Sequence, residues 1–191
     1  MKASSQSSSH ATPGGDARTD SVVHHRQKGR GRRLADYLPL IVIVVLTALA
    51  ATAKQIGYAG PWEFRKWMPD FMGLFLVVFS MFKFFDLSGF ADGFQMYDLL
   101  AKPFRPYAHL YPFLELGLGL GYLAWPGSPI LYGMTVVVMG FGALGVARAL
   151  RRKLDIECAC MGTVLHVPLS TVALVEDLGM AAMATAMWTM I

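Results

Sequence analysis

Charge is scarce in this chain: 16% of its 191 residues are Asp, Glu, Lys or Arg, where a soluble domain carries about 25%. Cysteine is scarcer still, with two residues, Cys158 and Cys160, separated by one alanine. So few cannot form the disulfide framework of a small secreted domain. Several catalytic signatures are missing too. The sequence holds no phosphate-cradling glycine loop, no HExxH, no GxSxG elbow and no CxxC of the thioredoxin type. Nucleotide hydrolysis and acyl transfer therefore lack their usual machinery.

What is present is apolar. Hydrophobic residues make up 54% of the chain and the mean hydropathy is +0.44, with Leu, Val and Phe in long blocks rather than at amphipathic spacing. That is the composition of an integral membrane protein. Five apolar stretches, at about 38–57, 69–87, 107–125, 128–149 and 168–190, are each near the roughly 20 residues that a bilayer-spanning helix needs. They predict an all-α, multi-pass fold: an N-terminal transmembrane anchor within 34–60 and a four-helix core within 68–191. The run "ATA" at 51–53 resembles a small-residue cleavage site, which would make the first stretch a signal sequence; its length favours an uncleaved anchor.

Residues 1–33 are Ser, Gly and charge with almost no large apolar side chain, the composition of a disordered tail. His24 and His25 within it read as solvated side chains rather than metal ligands. The tail also explains the net charge of +4, because it holds seven of the seventeen Lys and Arg. Basicity confined to a tail beside a span points to anionic lipid and topology, not to nucleic acid. With the tail inside, thirteen Lys and Arg, among them Lys102, Arg105, Arg148, Arg151, Arg152 and Lys153, fall on the inner side, against Lys54, Arg65 and Lys66 outside. The positive-inside rule then predicts a cytoplasmic N-terminus and a cytoplasmic loop for Cys158 and Cys160.

Packing signals accompany the spans. "ELGLGLGYL" places Gly117 and Gly121 four apart with Gly119 between them, and "MGFGALG" supplies Gly140, Gly142 and Gly145; small residues let helices approach closely in lipid. The short turn "WPGSP" makes the two spans that it joins antiparallel.

Two groups of residues could carry chemistry. In an extended loop Cys158 and Cys160 point to one face. A disulfide across one residue would be strained and reducible, and two thiolates would suit a soft ion such as Cu(I), Zn(II) or Hg(II). His166 could be a third ligand, although a lone loop histidine is more often solvated. The blander reading is two small packing residues. The second group is charged residues inside apolar stretches: Lys83 and Asp86, three apart and able to pair, Glu115, and Glu176 with Asp177. A charge there costs about 2.5 kcal/mol or more, so these residues would relay protons, hold a cation or form a structural network. Met180, Met183, Met187 and Met190 share one helical face; that stripe could guide Cu(I), but methionine is also an ordinary packing residue.

The run "FKFFDLSGFADGFQMYDLLAKPFRPYAHLYPFLELGLGLGYL" followed by "CACMGTVLHVPLSTVALVEDLGM" resembles the methylamine-utilisation protein family MauE, within the broader DoxX-like set. Phe84, Asp86, Phe90, Tyr97 and the 112–115 stretch look like that family's first two core helices, and Cys158, Cys160 and Gly162 resemble its Cys-x-Cys followed by a small residue. The resemblance covers about residues 70–191 and leaves the N-terminal span and basic tail as additions. It implies a multi-pass protein of the bacterial inner membrane. The implied role is processing, transport or maturation of the disulfide-rich small subunit of methylamine dehydrogenase, through thiol-disulfide exchange at Cys158 and Cys160 and without a required cofactor. Such a protein serves a client or thiol-redox partner rather than acting as a free-standing enzyme. "CACMGT" followed by "VPLSTVALVED" looks closer to a branch associated with heavy-metal-binding domains, which keeps two alternatives open: soft-metal handling and a non-catalytic membrane scaffold.

Overall fold

The computed structural model of the chain describes residues 37–57, 61–98, 101, 103–151 and 169–190. Among them the only regular secondary structure is helix: α1 (Leu38–Gly57), α2 (Phe64–Phe85), α3 (Leu87–Tyr97), α4 (Arg105–Ala124), α5 (Pro129–Arg151) and α6 (Leu169–Thr189). By length and composition α1, α2 and the Pro129–Arg148 part of α5 can each cross a membrane.

Each helix is legible in local chemistry. In α1, Thr47 and Thr52 donate their hydroxyls to the carbonyls of Ile43 and Ala48, both at 2.8 Å, so neither hydroxyl is left unpaired on an apolar helix. The buried residues of α1 are Ile43, Thr47, Ala51 and Gln55, a four-residue spacing that marks one narrow stripe. That stripe rests on α2. Polar contacts pin the far end of α1: Trp67 Nε1 donates to Thr52 Oγ1 at 3.0 Å, Gln55 Nε2 donates to the Glu63 carbonyl at 2.8 Å, and Lys54 pairs with Asp70 at 2.5 Å.

The helix expected over 69–87 differs at both ends. It begins a turn earlier, at Phe64, because Pro69 lies in the second turn, where its missing N–H costs a single bond. It stops at Phe85, because Asp86 turns out of the helix and accepts a hydrogen bond from the Gly89 amide at 2.9 Å. Asp86 thereby becomes the N-cap of α3, a helix that the apolar pattern did not separate. The turn from α4 to α5 matches its sequence. Gly127 takes the left-handed conformation, at φ 92°, which L side chains rarely adopt, and Pro129 opens α5.

Two helix pairs form the body of the molecule, α2 with α4 and α5 with α6. α3 lies against α4 and α1 against α2, while contacts between the two pairs are sparser. Backbones come closest where α2 meets α4. A Cβ on Gly73 would lie 2.9 Å from the Gly119 carbonyl oxygen, and one on Gly119 would lie 3.0 Å from that of Gly73. The glycine that meets α2 is thus the middle member of the "GLGLG" run; a Cβ on Gly121 would lie 2.8 Å from a methyl carbon of Leu131 in α5, while Gly117 faces open space. An aromatic stripe, Trp67–Phe71–Phe75–Phe79, runs down α2 with successive ring centroids 5.2, 5.9 and 4.4 Å apart. One further step of four residues reaches Lys83.

Candidate functional site: a buried charge cluster

Lys83 closes that stripe in the last turn of α2 and is 2% exposed. Its ammonium sits 5.9, 5.7 and 5.4 Å from the ring centroids of Phe79, Phe90 and Tyr111, within the range where a ring face attracts a cation. Both carboxyl oxygens of Glu115, from the middle of α4, accept from Lys83 Nζ at 2.6 and 2.5 Å. Glu176 Oε1, from α6, accepts from the same nitrogen at 3.0 Å. Glu115 is fully buried and Glu176 is 4% exposed. A single ammonium therefore ties three helices together.

Asp177 is the next residue on α6, and adjacent helical residues point about 100° apart. Its carboxyl group, in a residue 5% exposed, turns toward α4 and α5. The Tyr111 hydroxyl donates to Asp177 Oδ1 at 3.2 Å and lies 3.7 Å from the Met139 sulfur. Room for this carboxyl group comes from Gly142 of α5, where a Cβ would lie 2.5 Å from Asp177 Oδ2. Tyr111 in turn packs on Phe90 and Phe94 of α3, at centroid distances of 6.1 and 4.6 Å. Asp98, just beyond α3, is 2% exposed and accepts from the Ala101 amide at 2.8 Å.

Of the charged residues singled out in the sequence, the structure brings Lys83, Glu115 and Glu176 into direct contact and sets Asp177 beside them. It does not bring Asp86 in. That side chain is exposed and caps α3, and Lys83 instead binds Glu115 of α4 and Glu176 of α6. Cys158, Cys160 and His166 lie outside the described residues. On α6, Met180 and Met187 are buried in the core and Met190 is exposed, the distribution of packing side chains. Among the described residues no three His, Cys, Asp or Glu side chains converge to hold a metal ion. Tyr111, Asp98 and Gly142's contact with Asp177 carried no sequence signal, since one tyrosine among many aromatics looks like core.

No curated protein and no solved structure matches the chain. A family model does, over residues 33–190, which takes in α1 and every later helix together with both cysteines. The chain thus belongs to the family of the methylamine utilisation protein MauE.

Proposed function

We propose that this protein is a thiol-disulfide redox protein of the bacterial inner membrane, in which Cys158 and Cys160 exchange between dithiol and disulfide on behalf of a client protein. The observation that carries this reading is the family match, whose span includes the only two cysteines of the chain. In the family's own context the client would be the methylamine dehydrogenase small subunit, within methylamine metabolism. The five long helices cross the bilayer as a four-helix core, α2, α4, α5 and α6, with α1 as an anchor, and α3 lies near the inner surface. α4 and α6 can cross although each carries buried acids, because those acids meet Lys83 and Tyr111 instead of lipid.

The excess of Lys and Arg supports an inner location for the loop between Arg151 and Leu169. Disulfide maturation of a secreted client, however, takes place outside. Labelling with a membrane-impermeant maleimide, in intact and permeabilised spheroplasts with and without reduction, distinguishes the sides. Reductant-dependent labelling in intact spheroplasts is the outcome expected for external client oxidation. Labelling only after permeabilisation removes that role and favours soft-metal handling by the same two thiolates. With the pair outside, Cys158→Ser or Cys160→Ser abolishes client maturation; full maturation in both variants would leave a scaffold role.

A further inference from the structure

We propose that the Lys83 cluster is a proton-binding site inside the membrane, in which Glu115, Glu176 and Asp177 together hold at least one exchangeable proton at neutral pH. The inference goes beyond the thiol reading and stands or falls separately from it.

Two carboxyl groups, those of Glu115 and Glu176, bind a single ammonium, and the Asp177 carboxyl group stands beside them; all three residues are at most 5% exposed. Every neighbouring element contributes something, and among the described residues none is seen to contribute a second cation. α2 supplies Lys83 and Phe79; α3 supplies Phe90, with the buried acid Asp98 at its end; α4 supplies Tyr107, Tyr111 and Glu115; α5 supplies Met139 and the space at Gly142. Fully ionised, the three acids would leave two uncompensated negative charges in an apolar bundle, which buried sites avoid by taking up protons.

A second observation points the same way. Glu115 and Glu176, from different helices, both bind Lys83 Nζ, at 2.5 and 3.0 Å, so two carboxyl groups share one cation. Like charges at one site do not both ionise readily, and a proton on one of them relieves the repulsion. The Tyr111 hydroxyl donates to Asp177 and adds no charge. The cluster is also built from helices of both pairs, which places the proton at the seam where the pairs meet.

Infrared spectroscopy of the full-length protein in lipid nanodiscs tests this directly. At pH 7 the wild type is expected to show the carbonyl stretch of a protonated, dehydrated carboxylic acid that shifts in D2O. The double variant Glu115→Gln/Asp177→Asn is expected to lose that band, while Cys158→Ser keeps it. A wild type with no such band at pH 7 overturns the proposal, and that reading needs no variant to fold. A band that survives in the triple variant Glu115→Gln/Glu176→Gln/Asp177→Asn also overturns it, because the proton then resides elsewhere.

Discussion

Lys83 serves two environments at once. Its stem continues the aromatic stripe of α2, while its ammonium meets two carboxyl groups and three ring faces. Removing it strands the acids. Breaking a buried ion pair by deleting one partner costs about 3–5 kcal/mol, so Lys83→Met is expected to lower the unfolding midpoint steeply in detergent or nanodiscs. Adding Glu115→Gln to Lys83→Met should recover part of the loss, since the two side chains couple. Equal stability of Lys83→Met and the wild type would remove the cluster as a structural centre. The charged members were legible in the sequence because a charge inside an apolar run stands out. Their pairing was not, because the register between helices 32 and 93 residues apart is set by packing. Asp86 shows the converse. Its three-residue offset from Gly89 is a capping signal, but the apolar residues on both sides concealed the break.

At the scale of elements, the α2–α4 pair depends on a backbone contact that side chains would block. Gly119→Leu forces Gly73 and Val77 away and is expected to destabilise the bundle by about 1–3 kcal/mol, the usual cost of overpacking. Gly117→Leu, on the open side of the same helix, should be close to neutral. Circular dichroism melts of the two variants side by side decide the matter; equal losses would show that the contact with Gly73 is not responsible, since Leu favours helix over Gly at both sites. The glycine run announced close approach in the sequence, but not which partner each glycine meets: Gly119 packs against α2 and Gly121 against Leu131 of α5.

At the scale of the whole molecule, the expected segments were found almost in place, since lipid demands length and apolarity that composition reveals directly. The division into two pairs was not visible in this way. α2 pairs with α4 across the intervening α3, and the short turn joining α4 to α5 does not make those two helices the main partners. The acids of α4 and α6 fit the same logic: helices that keep polar groups inside a bundle can be less apolar than an isolated span.

The distribution of the cluster along the chain also bears on how the protein enters the membrane. Lys83 and Glu115 precede Glu176 and Asp177 in the chain and so are synthesised first. In the proposed topology α6 reaches the insertion machinery carrying two acids, each costing about 2.5–3.5 kcal/mol at mid-span on insertion scales, after Lys83 and Tyr111, which meet those acids in the folded protein. In a glycosylation-mapping assay, α6 behind an unrelated leader is expected to integrate poorly, and the same helix behind residues 1–168 to integrate well. Equally good insertion in both settings would show that α6 needs no help. Good insertion in the native setting alone would mean an ordered biogenesis, with the earlier helices acting as the solvent for α6.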